Sequence, residues 1–154
     1  MISKKEKILI TGASGLIGSN LVINLSNAGY EVLGVDSKND LRITSNALNL
    51  FNEFKPTMVF HLAAKVGGIH ANSNFKADFY SDNVLINTNV VNACVKSKVD
   101  YIFAMGTGCA YPKRLEEKIL FEKDFLDGIP EITNDAYAYA KRGLLVHLKS
   151  LEES

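Results

Sequence analysis

The first 36 residues alternate between an apolar run, a glycine-rich turn, a helical pattern and a second apolar run. Residues 7–11 and 31–35 predict two buried strands, and the apolar spacing over residues 15–28 predicts a helix between them. A helical connection of this kind joins parallel strands, so the segment is a βαβ unit. This unit constrains the chain to a layered α/β fold.

The same alternation continues to the end of the chain. Residues 58–62 and 101–105 predict further strands, while residues 75–98 and 134–151 predict long helices. The smaller features are a short edge strand at 41–43, a helix over 44–54 capped by Thr44 or Ser45 and stopped by Pro56, a loop at 63–74, an irregular segment at 110–133 and a cap at Asn134. We therefore predict a Rossmann-like, doubly wound parallel sheet in one domain, residues 1–154.

Such a sheet requires more strands than this chain contains. We expect the sheet to be incomplete on its C-terminal side, and the chain to be a fragment, the product of a truncated gene or a polypeptide that needs a partner. The unpaired sheet edge would favour aggregation or non-native pairing.

The composition excludes several classes of function. Lys+Arg and Asp+Glu both count 17, so the formal net charge is zero and nothing suggests non-specific nucleic-acid binding. No apolar run is long enough for a membrane span or a signal peptide. The two cysteines do not form a disulfide framework, and we expect a cytoplasmic protein without a metal site.

The turn after the first strand has the spacing G-x-x-G-x-x-G, with glycines at Gly12, Gly15 and Gly18. Gly12 permits a sharp turn, Gly15 lets a diphosphate approach the backbone, and Gly18 allows close packing of helix on strand. The free N–H groups of the helix N-terminus, around Ser14, Leu16 and Ile17, would face the phosphates. This pattern predicts dinucleotide binding; the alternative is that the glycines only make turns.

An acidic residue closes the second strand, as ribose binding would require. Asp36 lies 18 residues after Gly18, where its carboxylate can accept hydrogen bonds from both ribose hydroxyls. The charge favours NAD, whereas Lys38 and Arg42 keep NADP open. Alternatively, Asp36 simply starts a turn. Asp40 and Leu41 are candidates to flank the adenine.

The last helix begins with a Y-x-x-x-K pattern. Its spacing places Tyr137 and Lys141 on one helix face, where an ammonium would lower the pKa of the tyrosine. Tyr137 could then exchange a proton with a substrate oxygen while hydride moves to or from a nicotinamide, and Lys141 could bind the nicotinamide ribose. Tyr139 should face elsewhere. The alternative is an ordinary amphipathic helix.

Further segments carry a family resemblance: HLAAKVGGI from His61, AN from Ala71, ADF from Ala77, CAYPK from Cys109 and TNDAYA from Thr133. With the glycine turn and Y-x-x-x-K, they resemble the extended short-chain dehydrogenase/reductases that act as nucleotide-sugar epimerases and dehydratases, and among these the GDP-L-fucose synthase family. The resemblance covers nearly the whole chain but only the family's N-terminal half. It implies NADPH-dependent 3,5-epimerisation and 4-reduction of GDP-4-keto-6-deoxymannose.

The resemblance assigns roles residue by residue. Thr107 matches the catalytic serine, Tyr137 and Lys141 match the acid and its lysine, and Cys109 matches the acid/base of epimerisation. Leu62, Ala63 and Ala64 join the glycine turn in binding the cofactor. Without the resemblance, Cys109 could be a small buried hydrophobe, as we expect of Cys94.

The chain departs from the family pattern in three respects. The histidine that partners the catalytic cysteine lies beyond residue 154; His61, His70 and His147 do not match it and are expected at a strand end, in a loop and on a helix surface. The C-terminal substrate-binding region is absent. Ser14 stands where the family often has an arginine for the NADP phosphate.

Two other functions remain open. One is a different NAD-dependent sugar-nucleotide 4-epimerase or dehydratase, which Asp36 favours. The other is a nucleotide-binding module without turnover. The resemblance also implies a homodimer formed through the helices at 75–98 and 135–151.

Overall fold

The computed structural model describes residues 6–113 and 119–153. Its sheet has four parallel strands in the order β2-β1-β3-β4. The strands are β1 (Lys7–Thr11), β2 (Glu31–Val35), β3 (Met58–His61) and β4 (Tyr101–Ala104). In the register, Leu9 lies opposite Leu33 on one side and Val59 on the other. The Rossmann-like α/β fold predicted from the sequence is confirmed.

Within the described ranges, five α-helices connect and follow the strands. They are α1 (Leu16–Asn27), α2 (Thr44–Phe54), α3 (Ile69–Asn74), α4 (Lys76–Lys96) and α5 (Asp135–Glu152), with 3₁₀ turns at Gly108–Ala110 and Glu122–Asp124. The chain divides into two compact units. The first unit runs to Ala64 and includes Thr88–Met105; the second comprises Lys65–Asn87 and the residues from Gly106 onward.

The first unit has its core on the sheet. Ile8, Ile10 and Met58 are buried, and partly buried apolar side chains of α1 pack against them, among them Leu21 and Leu25. Ile8, Leu9 and Ile10 are all fully buried, so side chains on both faces of β1 are shielded from solvent. This explains why β1 reads as a continuous apolar run.

The second unit is organised by α5. The buried face of this helix contains small and apolar residues but also two cations, Lys141 and Arg142. The Arg142 guanidinium donates to the carbonyl oxygens of Ala110 (2.7 Å), Asp127 (2.7 Å) and Gly128 (2.8 Å). A helix side chain therefore fixes two stretches of irregular backbone.

Several local predictions from the sequence are wrong. Residues 41–43 form a turn rather than a strand, because the Asp40 carboxylate accepts from the Arg42 backbone and side chain. The segment 63–74 is not all loop, since it contains α3, and His70 therefore lies in a helix. Within the segment 110–133, residues 114–118 lie outside the described part.

The predicted helix caps are also wrong in detail. The N-cap of α2 is Ile43, and no side chain caps that end. Asn134 is the N-cap of α5, but its side chain makes no capping hydrogen bond. Lys55, with a φ of 53°, ends α2 just before Pro56. The Asn134 amide is therefore available for other contacts.

Two surface features complete the description. Among the described strands, β4 pairs only with β3, and its Tyr101 and Phe103 are exposed. None of the helices in the described ranges has the length and apolar character needed to cross a bilayer.

Candidate functional site

The glycine turn has the geometry that its spacing predicted. Gly12 adopts a φ of +74°, which L side chains rarely tolerate, and a Cβ there would lie 2.8 Å from the Ala63 nitrogen. A Cβ on Gly18 would lie 2.2 Å from the Gly12 carbonyl oxygen. Gly15 is the exposed N-cap of α1. Each glycine therefore has a local role: Gly12 makes the turn, Gly15 begins the helix, and Gly18 lets the helix pack closely on the turn.

The exposed start of α1 fits a dinucleotide diphosphate. Leu16 and Ile17 are exposed at its first turn, and Ser14 precedes them on the surface. The first N–H groups of any helix lack intrahelical acceptors and carry partial positive charge. With no Cβ at Gly15, an anion can approach these groups directly.

The segment after β3 backs onto the same turn. The Thr11 hydroxyl accepts from the amides of Leu62 (3.2 Å) and Ala63 (3.1 Å) and makes a 2.9 Å hydrogen bond with Nδ1 of buried His61. His61 lies at the end of its strand, as expected. Ala64 follows, half-buried. These contacts hold the predicted cofactor segment against Gly12.

The acidic residues after β2 form successive turns. The Asp36 carboxylate accepts from the Lys38 backbone at 2.9 Å, so the predicted ribose ligand does start a turn. The Asp40 carboxylate binds the Arg42 guanidinium through two hydrogen bonds, which lower the pKa of Asp40 to about 2. Leu41 is buried. Arg42, named as a candidate for an NADP phosphate, is thus held by Asp40.

The second unit brings the four predicted catalytic residues into one region. The Thr107 hydroxyl accepts from the Cys109 backbone at 3.3 Å and donates to the Tyr137 phenol. Cys109 and Tyr137 line a cavity of about 250 Å³. Lys141 is buried one turn along α5, with its Nζ 6.0 Å from the centre of the Tyr137 ring. The phenol and the thiol therefore open on one cavity.

The charge balance at Tyr137 differs from the expectation. Burial raises the pKa of Tyr137, the Cys109 thiolate raises it further, and the Thr107 hydrogen bond opposes both. Burial lowers the pKa of Lys141 to about 8. The expected lowering of the tyrosine pKa by the lysine is therefore wrong for this structure. The phenol stays protonated at neutral pH.

The two cysteines have different surroundings. Cys94 is buried in α4, and burial raises its pKa to about 12, which confirms its place in the core. Cys109 is only partly buried, and the Asn134 amide donates to its sulfur at 3.2 Å. The alternative of a simple buried hydrophobe therefore describes Cys94 but not Cys109.

Three polar residues of this region escaped the sequence analysis as site candidates. Asn72 lines the cavity, Asn134 contacts Cys109, and Arg142 fixes the backbone at Ala110. Asn72 and Asn134 stand in segments that carry the family resemblance, and Arg142 directly follows Lys141. Their roles depend on contacts with distant residues, so spacing alone could not show them. Tyr139 lies beside Arg142 instead, with 5.7 Å between ring centre and guanidinium carbon.

Comparison with known proteins decides the family. The sequence model described as the NAD dependent epimerase/dehydratase family matches residues 8–154. The chain belongs to the NAD dependent epimerase/dehydratase family. GDP-L-fucose synthase 1 of Arabidopsis thaliana is 38% identical over 143 residues, which are 92% of this chain and 44% of that protein.

Solved structures agree with this assignment. A GDP-L-fucose synthetase from Naegleria fowleri bound to NADP superposes with a TM-score of 0.83 at 34% identity, covering 99% of this chain and 51% of that one. UDP-glucose 4-epimerase of Thermus thermophilus, in complex with NAD, gives a TM-score of 0.83 at 26% identity, with 96% and 51% covered. The chain spans less than half the length of the curated relatives it matches.

Proposed function

We propose that this chain is the NAD(P)-binding part of a nucleotide-sugar epimerase/reductase that resembles the GDP-L-fucose synthases. The observation that supports this most is the common cavity of Cys109 and Tyr137, with Thr107 hydrogen-bonded to the phenol. A thiol suits proton exchange at carbon, and a phenol suits protonation of oxygen. An epimerase that also reduces a ketone needs both.

In this proposal the first unit holds NAD or NADP. The glycine turn takes the diphosphate, Asp36 the ribose, and the segment after β3 completes the site. The residues assigned to the cofactor are Gly12, Ser14, Gly15, Leu16, Ile17, Gly18, Asp36, Asp40, Leu41, Leu62, Ala63 and Ala64, with Tyr137 and Lys141 from the second unit. When bound, the dinucleotide supplies the hydride.

Tyr137 is the proposed acid of the reduction. As C4 of the 4-keto sugar becomes an alkoxide, the phenol gives its proton to that oxygen. The raised pKa of Tyr137 keeps the proton available at neutral pH. Thr107 holds the phenol oxygen, and its hydrogen bond favours the phenolate that results. Lys141, mostly charged at pH 7 with a pKa of about 8, is proposed to bind the nicotinamide ribose.

Cys109 is the proposed acid/base of epimerisation. Its sulfur would take and return protons at the carbons beside the C4 ketone of GDP-4-keto-6-deoxymannose. The Asn134 N–H that points at the sulfur stabilises negative charge there. A histidine partner in a full-length enzyme would come from a segment outside this chain.

The remaining expectations belong to the same proposal. The chain forms one functional domain of a cytoplasmic enzyme, which its two unpaired cysteines support. It pairs into a homodimer through α4 and α5. Exposed apolar side chains on both helices, Leu85 and Val146 among them, support that contact.

A thermal unfolding assay tests the cofactor part. Saturation with NADPH or NADH at a hundredfold excess over Kd raises the stability of the chain by about 2.7 kcal/mol. An unchanged melting temperature with both nucleotides contradicts the proposal.

A turnover assay tests the chemistry. In a longer protein that joins this chain to a substrate-binding region, we expect oxidation of NADPH in the presence of GDP-4-keto-6-deoxymannose, and Tyr137→Phe to lower kcat by about 10²–10⁴. Tyr139→Phe is the matched control and keeps full activity, because Tyr139 lies beside Arg142. Nucleotide binding without turnover would favour the non-catalytic module.

A further inference from the structure

Two asparagines that line the cavity beside Cys109 each have a side-chain oxygen without a partner among the described residues. Its walls include the apolar side chains of Val66 and Ile69, the two proton-transfer residues, and the amides of Asn72 and Asn134. Within the described parts of the chain, neither Asn72 Oδ1 nor Asn134 Oδ1 has a hydrogen-bond partner, although both are buried. A buried acceptor without a donor costs roughly 1–3 kcal/mol, so such atoms call for an explanation.

The orientation of the Asn72 amide is fixed by its own contacts. Its nitrogen donates to the carbonyl oxygens of Gly67 (2.7 Å) and Gly68 (3.2 Å). A flipped amide would place oxygen against two carbonyl oxygens. The side chain is 6% exposed. Asn72 is therefore locked with an unfilled acceptor at the cavity wall.

Asn134, another residue of the cavity lining, has one contact through its side-chain nitrogen. Its nitrogen donates to the Cys109 sulfur at 3.2 Å, so its oxygen is the atom left over. The side chain does not cap α5, although Asn134 occupies the N-cap position. Helix capping therefore does not explain this amide.

The cavity determines what kind of donor can reach these oxygens. No residue of its described lining carries a formal charge at neutral pH, and both open atoms are acceptors, so phosphate and carboxylate groups are disfavoured. A volume of about 250 Å³ is below the ~300–1,000 Å³ of pockets for drug-sized ligands, which suits one sugar ring. Neutral hydroxyl groups on a compact ring meet all these conditions.

We propose that Asn72 and Asn134 are the specificity-determining residues of the sugar subsite, where each Oδ1 accepts a hydrogen bond from a hydroxyl group of the sugar ring. This inference rests on the proposed function and adds to it the residues that recognise the sugar. Sites built to bind a hydroxyl strongly reject analogues that lack it, because their buried acceptor then stays unpaired. Asn72 and Asn134 would thus favour the binding of sugar rings that carry hydroxyl groups next to the Cys109 thiol and the Tyr137 phenol.

The first test follows the side-chain amides directly. The ¹⁵N-labelled chain, saturated with NADP⁺, is titrated with GDP-mannose and separately with GDP. We expect the Asn72 and Asn134 side-chain amide signals to shift with GDP-mannose and not with GDP. Equal shifts with both ligands, or none with either, overturn the inference.

The second test uses variants of Asn134, whose side chain makes no capping hydrogen bond to α5. Asn134→Ala weakens GDP-mannose binding about 3- to 10-fold and leaves GDP binding unchanged. Asn134→Asp keeps the acceptor and restores affinity to within about twofold, while its carboxylate slows alkylation of Cys109 by iodoacetamide. Asn74→Ala is the matched control, because Asn74 is exposed in the same short helix as Asn72. Unchanged affinity in Asn134→Ala overturns the inference.

Asn72→Ala should weaken GDP-mannose binding to the same extent, provided that the variant still unfolds in one cooperative transition.

The tests separate this inference from the proposed function. A wild-type chain that binds GDP-mannose through its sugar, with affinity independent of Asn72 and Asn134, refutes only the inference. A chain that binds NADP⁺ but no GDP-mannose also refutes the inference and leaves the cofactor part standing. A chain that binds neither refutes both.

Discussion

The glycine turn of the first unit and the cavity of the second unit are built from different parts of the chain. At the glycine turn, the absence of side chains decides the geometry: Gly12 has a positive φ, and Gly18 leaves no room for a Cβ. At the cavity, side chains decide it, through contacts among Thr107, Cys109 and Tyr137. The glycine turn should therefore lose stability and ligand binding when a side-chain atom is added to it. The cavity should lose its structure when one of the side chains that contact each other is removed.

Gly18→Ala tests the first half of this contrast and should have the largest effect. The added methyl would lie 2.2 Å from the Gly12 carbonyl oxygen, so the turn must move. We expect a loss of about 3 kcal/mol in the free energy of unfolding, as in overpacked cores, together with loss of dinucleotide binding. Urea denaturation and NADPH titration measure both.

Gly143→Ala is the matched control for that substitution. Gly143 also lies in a helix, but nothing lies within 4 Å of a Cβ built there. Alanine should stabilise the chain by about 0.5–1 kcal/mol through helix propensity. Equal effects of the two alanines would show that the glycine turn is not constrained by packing.

The pH dependence of stability tests the second half. Because burial lowers the pKa of Lys141 from 10.5 to about 8, the unfolded state binds more protons between these values, and stability rises with pH there. The lysine alone contributes a rise of about 2–3 kcal/mol from pH 7 to 10. Cys94 opposes this rise above pH 9, because burial raises its pKa from 9.0 to about 12 and the folded state then keeps a proton that the unfolded state loses. Tyr137 has the opposite sign: its raised pKa makes stability fall as pH increases above 10.

Lys141→Met isolates the lysine part of that profile. In urea denaturation at fixed ionic strength the variant should lack the lysine rise and should lose stability above pH 9 through Cys94, so that the wild type gains about 2 kcal/mol on the variant between pH 8 and 10. Lys149→Met, on the exposed side of the same helix, should keep the wild-type profile. Parallel curves for the wild type and Lys141→Met over this window would show that Lys141 is not desolvated in solution.

Arg142→Met removes the side chain that fixes the loops of the second unit. Three carbonyl oxygens, on Ala110, Asp127 and Gly128, lose their donor. We expect a loss of about 2 kcal/mol in the free energy of unfolding and faster alkylation of Cys109, which neighbours Ala110. Arg142→Lys should recover part of the stability. Alkylation of Cys109 at the wild-type rate in Arg142→Met would mean that the loop holds its shape without the arginine.

The same contrast explains which features could be predicted from the sequence. A glycine spacing encodes local backbone geometry, so the roles of Gly12 and Gly18 in the turn follow from a short segment, and the parallel direction of the strands follows from the helices that connect them. The environment of a side chain depends on residues far along the chain: Asn134 meets Cys109 across 25 positions, and Arg142 meets Ala110 across 32. The spacing of Tyr137 and Lys141 suggested a lowered tyrosine pKa, but burial outweighs the lysine. Short sequence patterns therefore predict the structure of the first unit better than that of the second.

Asp40→Asn should have the smallest effect on stability of the substitutions considered. It tests whether the side chains after β2, rather than the glycine turn, decide between NAD and NADP. The Asp40 carboxylate holds the Arg42 guanidinium with hydrogen bonds of 2.9 and 2.8 Å on the protein surface. Exposed pairs of this kind contribute little to stability, so the melting temperature should not change measurably. Loss of the Asp40 negative charge leaves the Arg42 guanidinium more attractive to a 2′-phosphate, and we expect the ratio of NADPH to NADH affinity to rise about 3- to 10-fold at low salt and less at high salt. Lys38→Met, which removes a different nearby cation, should not raise the ratio. A ratio that stays constant in Asp40→Asn would mean that Asp36, rather than the pairing of Arg42, decides between the two cofactors.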